Sequence, residues 1–548
     1  MKYAFLFFSL FLGCSEPQED QKKIASTKKA APWFENVANE VGIDHTFYSG
    51  DVGNYYIIET MGGGAALFDF DNDGDLDLYI TQGNVLEGRL RSSLQNKLYE
   101  NVGGEFEERG VVDGTQYSIG VTTGDYNNDG FVDLYITNFG RNTLLKNKGD
   151  GSFEDVTEIA GVGESAFSAC AEFSDLDLDG DLDLFVTNYL DWTPETEKEC
   201  FSEQNRRDYC NPSSYVAPIP DTLYFNNGDG TFSNVSQQSG IASIAGTGLG
   251  LAIATIDGDH LPDIFVANDG MPDRLWINQG NGTFKESAML LGCAVDDSGK
   301  EKASMGVELM DADQDGDLDL LVTTLFKETD SFYLNDGGIF VDATARWGLA
   351  ADTRTYTRWG IAVEDFDNDG LDDLYEATGR VRWQADNWSE SDWLAEPNLL
   401  FTQEKLGRFS LVDSEGGVSS PLVKSAHGVS SGDIDGDGGV DLIVVNKDAT
   451  VDVLKNVVQN RGNWIVLDVR NKHSSPALGA VVKVTLTAGT VVTKHVRSGH
   501  GYASASDPRI HLGLGDEAEV ASVSVQWPDG STKIIESLEA GSIYIITP

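Results

Sequence analysis

Seven times along this chain the pattern Asp-x-Asp-x-Asp-Gly-x-x-Asp, or a worn copy of it, returns at steps of 50 to 80 residues. A chain patterned this way folds as repeated units stacked side by side. Six copies are intact: Asp69, Asp71, Asp73 and Asp77; Asp125, Asn127, Asp129 and Asp133; Asp175, Asp177, Asp179 and Asp183; Asp311, Asp313, Asp315 and Asp319; Asp365, Asp367, Asp369 and Asp373; Asp433, Asp435, Asp437 and Asp441. A seventh keeps Asp257, Asp259 and Asp263 but has Thr255 in first place and His260 where the glycine belongs.

Each copy sits in the same surroundings. A glycine-rich apolar run such as Gly120–Asp125 precedes it, and Leu134–Asn138, Leu144–Asn147 and Phe153–Thr157 follow, parted by Asn, Asp and Gly. Short β-branched and aromatic runs of period two separated by turn residues predict strands, and four strands per unit make a propeller blade. Seven blades follow. The opening segment Trp33–Gly42 reads like the end of a blade placed ahead of the first loop, so it is expected to supply an outer strand to the last blade and close the ring.

Carboxylates at positions 1, 3, 5 and 9, with glycine at 6 to permit the sharp turn, describe a cage for a hard cation. Calcium takes six to eight oxygens at about 2.3–2.6 Å, and a carboxylate-rich protein cage suits it better than magnesium. An EF-hand is excluded, because its position 12 needs Glu and finds Ile80 and Ile136. Asp, Asn and Gly also favour plain Asx turns. Six intact copies argue for the cation, since carboxylates crowded into one turn repel one another. Six calcium sites are expected, the seventh weak or empty.

With 89 acidic against 38 basic residues the formal charge is −51, which repels nucleic acid and anionic membrane surfaces. A 40% hydrophobic content places that acid on a folded body. The N-terminus runs Met1-Lys2, an apolar stretch to Gly13, then Cys14, as in an export signal. Leu12-Gly13-Cys14 resembles a bacterial lipobox, which implies acylation at Cys14 and a protein held at the outer membrane or cell surface by that lipid alone; plain secretion is the alternative. Residues 15–32 read as a polar tether. Of the other cysteines, Cys200 and Cys210 share one insertion and suit a local disulfide, and Cys170 with Cys293 is the pairing left over, one of three connectivities.

After residue 460 the loops stop and strands such as Trp464–Val469, Ala480–Leu486 and Val520–Val525 predict a small β-sandwich over 461–548. The expected architecture is therefore all-β, a seven-bladed propeller over 33–460 and a β-sandwich. The loops and strands resemble FG-GAP and VCBS repeats of integrin-α-like propellers, which implies structural calcium held by positions 1, 3, 5 and 9. Gly479–Val484, Arg497–Tyr502, Ser506–Arg509, His511–Gly515 and Trp527–Gly530 resemble the ASPIC/UnbV domain. Together they are similar to the cartilage acidic protein family.

Two function classes remain. The first is a calcium-stabilised surface adhesion or scaffold protein binding an extracellular glycan or protein. Two insertions that interrupt the repeat supply its candidate contacts in Trp192, Trp383, Trp388 and Trp393, whose rings suit sugar stacking or simply pack the loops. The second is a polysaccharide lyase or hydrolase using other carboxylates in the propeller funnel. Ser506, Asp507, Arg509, His500 and His511 form a polar cluster, but no Gly-x-Ser-x-Gly elbow accompanies it. The chain is expected not to be an enzyme.

Overall fold

The computed structural model describes residue 1 and residues 31–86, 90–110, 116–384, 388–412 and 415–548. The expected export signal, the acylated Cys14 and the tether up to residue 30 lie outside the described residues.

Seven antiparallel four-stranded blades surround one axis. Blade 1 is Ala65–Phe68, Asp77–Ile80, Lys97–Val102 and Glu105–Glu108, each strand joined to the next in sequence. The last blade is completed by Phe34–Asn36, paired with Leu454–Asn456, so the opening segment does close the ring and no blade edge is left bare there.

The innermost strand of every blade is buried along most of its length, and the same geometry repeats because the same residue recurs. Five residues before each loop stands Gly64, Gly120, Gly250, Gly306, Gly360 or Gly428, with Cys170 in the third blade. The backbones crowd the axis there: a Cβ on Gly250 would lie 2.4 Å from Met305 O, and one on Gly306 2.3 Å from Trp359 O.

Neighbouring blades are stapled by one side chain. Asn147, in the third strand of blade 2, donates to Val132 O of its own blade at 3.1 Å and to Phe70 O of blade 1 at 2.7 Å. Asn101, Asn226, Asn278, Asn335 and Asn456 make the same pair of bonds, each reaching the preceding blade at 2.8 or 2.9 Å. Blade 6 has Gln403 in that place. Each such bond supplies a donor to a backbone carbonyl at the seam between two blades.

The C-terminal module has a three-stranded sheet, Ile510–Gly515, Asn463–Val469 and Ser542–Ile546, and a four-stranded one, Val491–His495, Val481–Leu486, Glu519–Gln526 and Thr532–Glu539. Ile465, Leu467, Val482, Val484, Val523 and Trp527 are buried in its core. Ile510–Gly515 and Thr532–Glu539 were not expected from the sequence.

Candidate metal centres

Each loop is built by its own carboxylates. In the first, Asp69 accepts the amides of Asp73 and Gly74 at 3.1 and 3.0 Å, which wraps the chain around its side chain. Gly74 sits at φ +100°, a conformation that strains any residue with a Cβ. Asp77 accepts the amide of Phe70 with one oxygen and that of Asn101 with the other, both at 2.9 Å. Position 9 thus ties the loop to the third strand whether or not a cation is bound. The worn loop accounts for itself on this basis: Asp263 keeps the equivalent bonds to Ile256 and Asn278 at 3.1 and 2.9 Å.

Carboxylate oxygens of Asp69, Asp71 and Asp77 lie within 4.8 Å of one another, as do those of Asp175, Asp177 and Asp183, of Asp365, Asp367 and Asp373, and of Asp433, Asp435 and Asp441. In the loop at 311 the converging set is Asp311, Asp313 and Asp315. The remaining position-5 residues Asp73, Asp179, Asp369 and Asp437, with Asp319, stand in the same loops outside these triads. In the second loop Asn127 turns its amide nitrogen to Asp133 at 3.0 Å, which leaves Asp125, Asp129 and Asp133 as the carboxylates. Among the described residues, Asp257, Asp259 and Asp263 form no such converging triad.

The crowding is costly without a counter-charge. Burial pushes the carboxyl of Asp69 up to about 6, that of Asp175 to about 7 and those of Asp77, Asp183 and Asp319 to about 8, and neighbouring aspartates add to the rise. Asp311 Oδ2 and Asp313 Oδ1 are buried with no hydrogen-bond partner. Hard oxygens, convergent and unpartnered, fit a calcium ion. Two loops already hold cations of the protein's own: Lys146 pairs with Asp129 at 3.1 Å in the loop at 125, and in the loop at 433 Lys455 pairs with Asp435 and Arg461 with Asp437 at 2.7 Å.

The loops and the C-terminal module meet on one face. Arg509 donates to Gly74 O at 3.1 Å, Lys494 to Asp372 at 2.6 Å, and the amides of Gly462 and Gly515 to Asp367 O and Asn368 O. From this seat the segment Gly499–Ala505 enters the axis. Ala505 pairs with Ala66 of blade 1, Ala503 O accepts Val121 N at 3.1 Å, and Gly501 O accepts Val307 N at 3.1 Å. Tyr502 is fully buried and donates to Met61 O at 3.0 Å. The 3-10 turn Ile57–Thr60 is likewise buried and lies next to Met61. At the mouth, Arg497 pairs with Glu308 at 3.4 Å and Glu172 at 3.7 Å, and His500 Nδ1 meets Glu308 at 2.8 Å.

The polar cluster of the tail does not assemble a triad. Arg509 is held by both oxygens of Asp507 at 2.9 Å, His500 is engaged by Glu308, and His511 Nε2 faces Asn368 Oδ1 at 2.8 Å. Ser504 is buried, its Oγ accepting the Ala65 amide at 3.2 Å. Cys200 and Cys210 form a disulfide, whereas Cys170 and Cys293 are buried free thiols, which removes the leftover pairing.

Trp192 has no face for a ligand. It is buried, donates to Glu197 at 3.1 Å and packs on Tyr56, Phe139 and Phe167. Trp383 and Trp393 flank the Arg206 guanidinium at 5.7 and 5.4 Å, so the two insertions clasp each other. Trp388 is 46% exposed, with its ring stacked on Tyr356 at 6.1 Å.

A ring of seven blades carrying Asp loops, with a β module seated on the loop face, defines an FG-GAP-repeat propeller with an ASPIC and UnbV domain. Residues 69–136, 125–186, 256–322 and 311–376 match the FG-GAP-like repeat, and residues 470–548 match ASPIC and UnbV. The chain is homologous to cartilage acidic protein 1 over 88% of its length: it is 25% identical to the Homo sapiens protein over 519 residues, covering 71% of it, and 24% identical to that of Xenopus tropicalis, covering 73%. That family name assigns no enzymatic activity. Solved structures that align include an Agrocybe aegerita lectin recognising non-reducing terminal N-acetylglucosamine, at TM-score 0.36 and 16% identity over 79% of this chain and 95% of that one. An exotype rhamnogalacturonan lyase aligns at TM-score 0.39 and 14% identity over 72% of each chain. Scores this low carry no functional content. Among the described residues no helix is long and apolar enough to cross a membrane.

Proposed function

We propose that the protein is an extracellular, calcium-stabilised recognition or scaffold module, exported and held at the cell surface through Cys14, that binds a glycan or protein partner. The observation that carries the reading is the convergence of carboxylate oxygens within 4.8 Å in five separate loops, with one oxygen each of Asp311 and Asp313 buried and unpartnered. Calcium in the six intact loops would neutralise that charge and fix the loop face; the seventh would stay weak or empty. The acidic body disfavours nucleic acid as a partner.

Two features favour a binder over the polysaccharide-acting enzyme. Tyr502 and Ala503 are buried in the axis, and the carboxylates at its mouth, Glu172 and Glu308, already face Arg497 and His500. The insertion face around Trp388 is the surface we assign to the partner, because loops on a rigid ring carry recognition at little cost to the fold.

The test is binding of the secreted form to a broad glycan array in calcium and in excess chelator, with thermal melting of the same samples. A melting temperature lowered by chelator, with discrete glycan or protein binding lost by Trp388→Ala, supports the reading. Melting indifferent to calcium overturns it.

A further inference from the structure

The Asp loops are linked to one another around the ring. Position 4 of each loop lies at positive φ, and in four loops its side chain reaches the next loop: Asn72 donates to Gly130 O at 3.1 Å and Asn128 to Gly180 O at 3.3 Å. Gln314 donates to Gly370 O at 3.3 Å and Asn368 to Gly438 O at 2.9 Å. Position 4 is Leu178 in the third loop and glycine at 258 and 436, which can donate nothing from a side chain. The loops therefore form two chained arcs, one of the first three loops and one of the last three, on either side of the worn copy.

The C-terminal module rests on these arcs, and chiefly on the loop at 365. Four of its contacts fall within that single nine-residue turn: His511 with Asn368 Oδ1 at 2.8 Å, Lys494 with Asp372 at 2.6 Å, Gly515 N with Asn368 O at 2.8 Å, and Gly462 N with Asp367 O at 2.9 Å. A Cβ on Gly513 would lie 2.0 Å from Asp365 Oδ2, so the module's backbone presses on a ligand carboxylate itself. Asn368 is central to this: one side chain serves the next loop with its nitrogen and the module with its oxygen. The loop at 175 carries no hydrogen bond or ion pair from the C-terminal module among the described residues.

We infer that cation loading of the loops, above all the one at 365, holds the C-terminal module in its seat and its segment Gly499–Ala505 in the axis. The inference rests on the calcium reading above. With the cation present, Asp365, Asp367 and Asp373 converge and present Asn368 and two backbone carbonyls in one orientation. With it removed, the carboxylates repel, the turn opens, and the contacts read by His511, Lys494, Gly515 and Gly462 are lost together. The module then lifts and draws with it the axial segment, which is continuous with its chain at both ends, weakening that segment's bonds to Ala66, Val121 and Val307. The blades are joined by the Asn staples, whose side chains bond backbone carbonyls, and position 9 keeps its amide bonds to the third strand without a cation, so they stay closed.

The test is hydrogen–deuterium exchange on the full chain in calcium and in chelator below the melting temperature, with bound calcium counted by native mass spectrometry. Expected in chelator is exchange at least tenfold faster over 499–507, with the third strands of the blades, such as 143–147, within threefold of their calcium values. Asp367→Asn should reproduce the loss over 499–507 in calcium, and Asp177→Asn, in the loop without a seat contact, should not. Protection at 499–507 that survives loss of calcium, or exchange that rises uniformly across the blades, overturns the coupling while leaving calcium binding intact. A chain that binds no calcium overturns both readings.

Discussion

The backbone amide of Ala503 donates to the sulfur of Cys170 at 3.0 Å, across 333 positions of sequence. Cys170 occupies the axial position that is glycine in the other six blades, so one blade offers a side chain to the inserted segment and the rest offer room.

That room is tested at Gly64. A Cβ there would lie 1.7 Å from Ala503 O, a backbone atom that cannot swing aside. Gly64→Ala should lower stability by about 1–3 kcal/mol as an overpacking change, read as a fall in melting temperature. An unchanged melting temperature would mean that the segment does not lie against blade 1.

The blade staples predict a cooperative loss. Asn147→Leu leaves Phe70 O and Val132 O buried without a donor, at ~1–3 kcal/mol for each. Urea midpoints should fall accordingly, while exposed Asn227→Ala should stay within about 0.5 kcal/mol. Equal effects of the two substitutions would remove the staple as an explanation for how blades adhere.

Calcium affinity should differ among the loops. Lys455 and Arg461 already partner Asp435 and Asp437, and must be displaced or compete when calcium enters. Lys455→Met should therefore tighten the weakest of the sites seen by titration calorimetry, by about tenfold if it frees ~1.4 kcal/mol. A titration identical to that of the parent would show that the lysine leaves freely.

Glu172 sets a pH dependence with a definite sign. Burial pushes its carboxyl up to about 7, with Arg497 and His500 pulling it back, against an ordinary value of 4.5. Between those values the folded chain keeps a proton that the unfolded chain has released. The stability from this group is full below pH 4.5 and is lost as pH rises to about 7, by on the order of 3 kcal/mol. Glu172→Gln cannot titrate, so its melting temperature relative to the parent should climb from pH 5 to pH 8; a constant difference would refute the assignment.

Most of the ring was legible because its chemistry repeats. Loop spacing located all seven blades, and the resemblance of Trp33–Gly42 to a blade end located the closing strand. The staple was also present in the repeat, as an Asn closing Leu98–Asn101, Leu144–Asn147 and Leu223–Asn226, yet composition gives no hint that its amide reaches the neighbouring blade. The dual task of position 9 was hidden for the same reason, since a metal ligand and an amide acceptor call for the same aspartate. Gly499–Ala505 occurs once, so no periodicity marks it as part of the ring. Only the row of glycines five residues before each loop signals that something narrow lies on the axis. The sequence left the Trp residues open between ligand contact and loop packing, because a ring that stacks on a guanidinium and one that stacks on a sugar look alike in sequence.

The closure of the last blade by Phe34–Asn36 has a consequence for how the molecule is made. The strand synthesised first waits, unpaired, until Leu454–Asn456 has been synthesised, and the segment that fills the axis comes later still. During translation and export the growing chain is an open arc with two sticky ends and a hollow centre. A chain cut short between residues 460 and 497 keeps both strands of the closing pair and lacks the segment that occupies the bore.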